Sequence, residues 1–226
     1  MNKMFVISLG GSLINPGEID AGYLRKFSEL VKAQTRRGDK FIIITGGGRP
    51  AREYQEALKK IVKPSPDMLD WLGIYTTRFH AGFLSLIFGK LAMPALITDF
   101  EKQAALVKPV MLAGGWKPGR SSDGAAVKLA KLYGAATVIN LSNIDYVYTK
   151  DPRKFKDAKK IKNISWPDFS KIIGAKWDPG KNVPFDPTAA KFAREHKLKV
   201  IIANGKNLKN LRLILKEKPF IGTVIS

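Results

Sequence analysis

The chain contains no cysteine among its 226 residues and no long uninterrupted apolar run. Without cysteine, the protein forms no disulfide and no thiolate metal site. Short apolar runs such as KVIIA at 199–203 are far below the length that spans a bilayer. The apolar start MNKMFVISLGGSL is interrupted by two glycines and lacks a cleavage site, so we interpret it as a strand rather than a signal peptide. These features favour a cytoplasmic protein without a membrane partner.

Two nucleotide-binding fingerprints are also absent. No G-x-x-x-x-G-K-[ST] segment is present, which excludes a P-loop protein. No G-x-G-x-x-G follows the first predicted strand, which argues against a Rossmann dinucleotide site. A nucleotide-binding function would therefore need a different arrangement of glycines.

The composition is that of a basic globular protein. Apolar residues make up 45% and charged residues 26% of the chain, enough for a full core in one α/β domain or two small ones. The net charge of +20 would attract nucleic acids and small anions. Because no zinc-finger spacing, RNP-type motif or basic-zipper pattern occurs, we interpret the charge as a basic surface. Nucleic acid is not expected as the main partner.

Short apolar strands alternate with amphipathic helices along the sequence. Strands are predicted at 4–9, 40–45, 94–98, 109–114, 136–142, 199–204 and, as a last edge strand, 222–226. Helices are predicted at 20–38, 50–62, 67–91, 122–134, 187–196 and 207–217, with Asp20 and Ser122 as caps. The segment 146–186 is predicted as a hairpin and loop insertion. This alternation is typical of an α/β fold with a mainly parallel sheet covered on both faces.

Glycine-rich loops follow three of the predicted strands. They are LGGSL (9–13), TGGGRPAR (45–52) and LAGGWKPGRSSD (112–123), and LSNIDYVYTKDP (141–152) follows a fourth strand. Ligands bind beyond the carboxyl ends of the strands in open parallel sheets. Glycine amides, helix starts and the hydroxyls of Ser12, Ser121 and Ser122 would donate to phosphate oxygens, and a fork from Arg52 would add charge. Three such loops predict a phosphate-bearing ligand.

Five segments carry a resemblance to a known family. In chain order, GGS, TGGGRPAR, GGWKPGRSSDGAAVKLA, NIDYVYTKDPRK and FDPTAAK resemble the motifs of the amino acid kinase family, from Ser8 to about Ile225. The resemblance implies a single domain, 1–226, folded as a three-layer αβα sandwich. It implies an acceptor-binding lobe at about 1–115 and an ATP-binding lobe at about 116–226.

The resemblance also implies an activity. The motifs are most similar to an archaeal-type branch whose members transfer the γ-phosphate of ATP to UMP, with Mg²⁺, in pyrimidine nucleotide biosynthesis. Members of the family commonly form homo-oligomers, either dimers or hexamers built as trimers of dimers. The expected partners are therefore ATP, UMP and further copies of the chain.

Individual residues take roles from the same resemblance. For ATP it implies contacts from Gly11, Ser12, Gly48, Arg52, Ser142, Asn143, Tyr148 and Asp151. For UMP it implies contacts from Gly47, Asp70, Trp116, Lys117, Pro118, Gly119, Arg120, Ser121 and Ser122. Catalytic roles fall to Ser12, Arg52 and Asp186, and Asp123 and Asp186 resemble acidic positions near the metal. Asp186 precedes Pro187, so a helix cap is an equally open role for it.

One departure from the family pattern concerns a missing charge. Ser8 stands where many relatives have a lysine that neutralises the transferring phosphate. Lys3, Lys117 and Lys206 are candidates to replace that lysine.

Other departures concern the two substrates. Tyr146 replaces a glycine, His80 replaces an asparagine, and Trp116 and Lys117 are uncommon in the glycine-rich loop 112–123, which we call the acceptor loop. Two alternatives therefore stay open. One is a family kinase with a carboxylate or small phosphate acceptor, and the other is a nucleotide-binding relative that has lost catalysis.

Overall fold

The computed structural model describes residues 2–174 and 183–226. The strands are β1 Met4–Leu9, β2 Lys40–Thr45, β3 Val110–Ala113, β4 Thr137–Ser142, β5 Val147–Tyr148, β6 Lys160–Ile161, β7 Asn163–Ile164, β8 Lys199–Asn204 and β9 Thr223–Ile225. The helices are α1 Gly11–Ile14, α2 Ala21–Thr35, α3 Gly48–Ile61, α4 Pro66–Phe88, α5 Ser122–Leu132, α6 Trp166–Ile173, α7 Pro187–Glu195 and α8 Leu208–Leu215. A short 3-10 turn spans Gly89–Leu91.

Seven strands form one sheet in the order β3-β2-β1-β4-β8-β9-β7. The first five of these run parallel, and Val6 of β1 pairs with both Ile42 and Val138. β9 is antiparallel to β8 and parallel to β7, while β5 and β6 form a separate antiparallel hairpin. Because β2 and β4 flank β1 on opposite sides, the winding direction reverses between β1 and β4. Such a switch point is where α/β sheets bind ligands.

Side chains alternate between two cores on opposite faces of the sheet. On β2, Ile42 and Ile44 belong to a core that contains residues of α5, α6 and α7. Phe41 and Ile43 belong to the other core, with residues of α1, α2, α4 and α8. All four side chains are fully buried, which is why the strand reads as a continuous apolar run. The predicted three-layer αβα sandwich is confirmed.

The predicted helix caps are confirmed at α2 and wrong at α5. Asp20 Oδ1 accepts a hydrogen bond from Tyr23 N at 2.9 Å. At α5 the cap is Ser121, whose Oγ accepts from Gly124 N at 3.1 Å, and not Ser122. Ser121 has the extended backbone of a cap residue, whereas Ser122 is already helical.

Two predicted strands require correction. The segment 94–98 is not a strand, and only Ile97 makes an isolated bridge, to Ala113. Pro94 has no amide to donate to a ladder, which limits pairing there. The segment 222–226 contains β9, but β9 is not at the edge because β7 pairs with its free side.

The irregular segment 146–186 contains the predicted hairpin, and its described residues form two elements that were not predicted, β7 and α6. At the start of α6, Ser165 Oγ accepts from Asp168 N at 3.2 Å. Proline in the first turn and serine at the cap were the available signals. Across residues 2–174 and 183–226, no helix has the length and apolar character needed to cross a membrane.

Candidate active site

The first two glycine-rich loops pack directly against each other at the carboxyl edge of the sheet. A Cβ on Gly11 would lie 2.6 Å from the Cα of Gly48, and a Cβ on Gly48 would lie 2.6 Å from the carbonyl carbon of Gly11. Gly48 also has a φ of +66°, a conformation that other residues rarely adopt. Loop–loop packing itself therefore requires these glycines. The glycine pattern alone was interpreted as a ligand-binding feature and did not reveal this contact.

This packing brings Ser12 close to the beginning of α3. Ser12 is half-buried within α1, and Gly47 precedes α3 without a side-chain cap, so the first α3 amides are not used by a capping side chain. Arg49 pairs with Glu53 at 2.6 Å, whereas no carboxylate of residues 2–174 or 183–226 lies within 4.0 Å of the exposed Arg52. The Arg52 guanidinium and the α3 amides can therefore receive an anion.

A cluster of polar side chains lies over the carboxyl ends of β1 and β4. Asp123 Oδ1 accepts from Asn140 Nδ2 at 3.0 Å and, more weakly, from Ser8 Oγ at 3.5 Å. Asp123 Oδ2 accepts from Asp186 N at 3.1 Å. Ser8, Asn140 and Asp186 are all buried. The switch point of the sheet thus carries two neighbouring carboxylates, one of which is held by neutral donors.

The environment of Asp123 disfavours its negative charge. Burial is the main cause and raises the pKa of Asp123 to about 7, and the nearby charge of Asp186 acts in the same direction. Hydrogen bonds from Asp186 N, Ser8 and Asn140 oppose this rise without cancelling it. A cation beside Asp123, alone or bound to a ligand, would therefore stabilise the charged carboxylate.

Asp186 connects the starts of two helices. Its Oδ1 accepts from Thr188 N at 2.6 Å and Ala189 N at 3.2 Å, so the capping role that the sequence left open is confirmed. Its Oδ2 accepts a short hydrogen bond from Ser121 Oγ, the cap of α5. The first turns of α5 and α7 are thereby fixed beside Asp123.

A small cavity between α5 and α7 opens beside Asp186. Residues of the predicted acceptor loop line it, namely Trp116, Gly119, Arg120 and Ser121. Lys128 also lines the cavity, and its Nζ lies 4.5 Å from the centre of the Trp116 ring. The structure therefore brings much of the predicted acceptor loop to the same place as the carboxylates.

The acceptor loop is also tied to α4. Asp70 Oδ2 accepts from Gly119 N at 2.7 Å, so this carboxylate, for which the resemblance implied contact with UMP, holds the loop directly. Pro118 is half-buried between these anchored residues, and Ser122, half-buried as well, begins α5.

The residues predicted to bind the adenosine end of ATP are more dispersed. Ser142 ends β4 beside the switch point, and its buried Oγ has no hydrogen-bond partner among the described residues. Asn143 follows it and is exposed. Asp151 is occupied locally, because it accepts from Arg153 N at 3.0 Å and Arg153 Nε at 3.1 Å. Across residues 2–174 and 183–226, no hydrogen bond links Tyr148 or Asp151 to the glycine loops.

The three lysines considered as replacements for the family lysine at the Ser8 position lie in different parts of the structure. Lys3 precedes β1, so about 20 Å of strand separates it from the carboxyl edge, and it pairs with Glu217 at 2.6 Å. Lys3 is therefore excluded. Lys117 Nζ lies 3.9 Å from the centre of the Trp116 ring and 3.8 Å from Glu101 Oε1. Lys206 follows β8 at the carboxyl edge and is exposed.

The donor atoms near Asp123 fit a magnesium ion bound together with phosphates. Within the described residues, no group of three or more His, Asp or Glu could hold a metal by itself. Mg²⁺ commonly needs only one or two carboxylates when substrate phosphates supply other oxygens. Asp123 and Asp186 provide two neighbouring carboxylates whose mutual repulsion a cation would relieve.

Sequence reasoning missed two residues that shape this site. Asn140 holds Asp123, and its signal was an amide inside the apolar strand VINL. His80, noted only as a departure from the family pattern, is buried with Nδ1 2.8 Å from Gly46 O. Since a carbonyl only accepts, Nδ1 is the protonated nitrogen, and His80 holds the second glycine loop onto α4.

The sandwich, the paired glycine loops and the carboxylates at the switch point define a phosphotransferase class. The chain belongs to the amino acid kinase family, whose model matches residues 3–204. It is 36% identical to the uridylate kinase of Thermoplasma volcanium, an alignment that covers 100% of this chain and 98% of that protein. It is 33% identical to the uridylate kinase of Pyrococcus abyssi, over 94% of this chain and 95% of that protein.

Solved structures agree with this assignment. The crystal structure of the uridylate kinase from Archaeoglobus fulgidus superposes with a TM-score of 0.85 at 30% identity, over 99% of this chain and 100% of that chain. The UMP kinase of Bacillus anthracis shares the fold with a TM-score of 0.80 at 18% identity, over 99% and 96% of the two chains.

Proposed function

We propose that the protein is a UMP kinase that transfers the γ-phosphate of ATP to UMP and releases ADP and UDP. The observation that carries this proposal is the contact between the two glycine loops beside Asp123 and Asp186. This contact brings the backbone amides of the two loops together, and full-length similarity to uridylate kinases supports UMP as the acceptor. The proposed location of the protein, which follows from these substrates, is the cytoplasm.

The acceptor side of the proposed site lies between α3, α4 and the acceptor loop. Gly47 and the α3 amides would receive the UMP phosphate, and residues Trp116–Ser122 of the acceptor loop would enclose the nucleotide. Asp70 would act chiefly by holding this loop through Gly119. Arg52 would neutralise the transferring group, because it is exposed at the loop and is not paired with any carboxylate of residues 2–174 or 183–226.

The donor side lies over the C-terminal lobe. Gly11, Ser12 and Gly48 would bind the ATP phosphates, and Ser142, Asn143, Tyr148 and Asp151 would bind adenosine. Asp123 and Asp186 would hold Mg²⁺ with the phosphates, and the bound ion would supply positive charge where the family lysine is replaced by Ser8.

The reaction itself demands positioning and neutralisation of charge more than a strong base. A UMP phosphate oxygen would attack the γ-phosphorus in line, while the bond to the bridging β,γ oxygen breaks and ADP leaves. Ser12 and Arg52 would donate hydrogen bonds to the transferring oxygens. The donors at the paired glycine loops are fixed before substrate arrives, which lowers the reorganisation needed during transfer.

A coupled ADP-release assay tests the proposal. The protein is mixed with ATP, Mg²⁺ and, in separate reactions, UMP, CMP, AMP, acetylglutamate, aspartate or isopentenyl phosphate. We expect the highest turnover with UMP. Turnover only with a carboxylate or small phosphate would instead identify a different kinase of the family. ATP binding without ADP release from any reaction would identify a non-catalytic relative.

We also propose that the protein associates with itself through α4. Among residues 2–174 and 183–226, seven of the thirteen markedly exposed large apolar side chains lie on α3, α4 or the connection between them. On α4, the exposed side chains Met68, Tyr75, Phe79 and Leu86 share one helix face with half-buried Leu72 and Phe83, and we call these six residues the α4 stripe. Phe79 is 74% and Leu86 is 82% exposed.

A second copy is the partner that fits this stripe. Its spacing keeps the six side chains on one helix face over about 27 Å, with no charge among them. Exposed apolar patches of this kind mark protein interfaces. An acidic partner would be drawn to the basic surface of this +20 chain, whereas two identical chains avoid repulsion where the surface is uncharged.

A further inference from the structure

Arg78 on α4 donates two side-chain hydrogen bonds to the backbone of the acceptor loop. Its Nε donates to Gly115 O at 3.0 Å, and one terminal nitrogen donates to Trp116 O at 3.0 Å. The guanidinium lies over the Trp71 ring, 5.7 Å from the ring centre. Neighbouring Thr77 Oγ1 accepts from Gly115 N at 2.7 Å. Three polar groups of the loop backbone, Gly115 N, Gly115 O and Trp116 O, are thus held by α4.

The loop backbone is shaped around the Arg78 side chain. A Cβ on Gly114 would lie 2.6 Å from Arg78 Cγ and 2.8 Å from its Cα, so a glycine is needed for the arginine to pass. The planar fork of arginine suits two carbonyls at once, which a lysine ammonium on a flexible stem cannot match. The contact is therefore specific for arginine.

Trp116 packs against one core of the sandwich, whereas the rest of the held segment lies at the surface. Trp116 is half-buried, while Lys117, Gly119 and Arg120 are exposed. Beyond Arg78, the loop is held by Thr77 at Gly115, by Asp70 at Gly119 and by Asp186 at Ser121. Loss of the Arg78 side chain would loosen the loop, because it removes two of the hydrogen bonds that hold the loop backbone. The affinity for the ligand that the loop encloses would then fall, because binding of that ligand must also order the loop.

We propose that Arg78 is a positioning residue that sets affinity for the nucleotide acceptor and leaves the ATP side unaffected. This inference rests on the proposed function for the identity of the acceptor, but the ordering of the loop is independent of it. Arg78 acts through Gly115 and Trp116 and does not itself need to touch substrate.

Steady-state kinetics with Arg78→Met, Arg78→Lys and Arg37→Met test this role. Met keeps much of the chain length but removes every donor, and exposed Arg37 provides the same substitution at the end of α2. We expect Arg78→Met to raise KM for UMP about tenfold or more, which corresponds to a loss of about 1.4 kcal/mol in binding free energy. KM for ATP and the melting temperature should stay nearly unchanged. Arg78→Lys should recover part of the loss, and Arg37→Met should match the wild type.

Trypsin provides a readout that needs no activity. Cleavage after Arg120 should become faster in Arg78→Met than in the wild type and Arg37→Met, relative to cuts elsewhere. A protein that fails to phosphorylate UMP but shows this change would refute the proposed function and keep the loop assignment. Unchanged cleavage, an unchanged KM for UMP, or equal rises in both KM values would overturn the role of Arg78.

Discussion

At the scale of single residues, the contact between Gly11 and Gly48 decides how the site is built. Gly48→Ala would place a methyl group against the Gly11 backbone and strain a positive φ. Gly134 has a similar φ of +70° with open space around it, so Gly134→Ala isolates the strain. We expect Gly134→Ala to cost about 1 kcal/mol and Gly48→Ala to cost at least about 2 kcal/mol more. Denaturant unfolding measures both. Equal losses would show that the loops separate without cost.

The charge of Asp123 is a second prediction at this scale. Its pKa in the folded chain, about 7, exceeds the ordinary value of 3.8, so the folded state binds the proton more tightly than the unfolded state. Stability from this group is therefore present at low pH and is lost as the pH rises from about 4 to about 7.

Asp123→Asn removes that loss, so its stability relative to the wild type should increase over this pH range and stay constant above it. Thermal unfolding in buffers with a chelator, so that no cation pairs with the carboxylates, gives the comparison. Parallel pH profiles of the two proteins would contradict the burial argument. Turnover should fall in the same variant, because a proposed ligand for Mg²⁺ is lost.

At the scale of elements, two substitutions of Asp186 at the start of α7 distinguish its structural role from its chemical role. Asp186→Asn keeps an oxygen for the amides of Thr188 and Ala189, whereas Asp186→Ala removes it. We expect only the alanine variant to lose about 1 kcal/mol of stability. Both should lose turnover by about 100-fold or more, because both remove the charge. Full turnover in the asparagine variant would leave Asp186 with a capping role alone.

The elements themselves were largely readable from sequence because their signals are local. The helix α2 followed from Leu24, Phe27, Leu30 and Val31, which the structure buries together on one face. The short strands and the hairpin insertion were located less well, since Pro94 and the cap at Ser165 compete with simple periodicity.

The candidate site was predictable in its motifs but not in its contacts. Loops at the carboxyl edge were correctly placed by the strand pattern. No local pattern records that Gly11 meets Gly48, that Arg78 reaches Gly115 and Trp116, or that Asn140 holds Asp123. These contacts join residues far apart in the chain, so the packing of the whole sandwich determines them.

At the scale of the whole molecule, the α4 stripe predicts the assembly. Phe79→Glu places a charge at the centre of the stripe, and Val107→Glu places one at another exposed apolar residue away from it. We expect the wild type and Val107→Glu to sediment as dimers or larger species and Phe79→Glu to sediment as a monomer. A monomeric wild type, or an unchanged mass for Phe79→Glu, would remove the stripe from consideration as an interface.

Helix α4 faces in two directions, and this has a consequence for how the enzyme responds to its own abundance. One face carries the apolar stripe, and the other holds the acceptor loop through Arg78 and Asp70 and the second glycine loop through His80. Association that steadies this helix would strengthen acceptor binding, and the acceptor would then strengthen association by the same factor. Each molecule would thus work better in a crowded population than when diluted, and nucleotide would delay the dissociation of its copies.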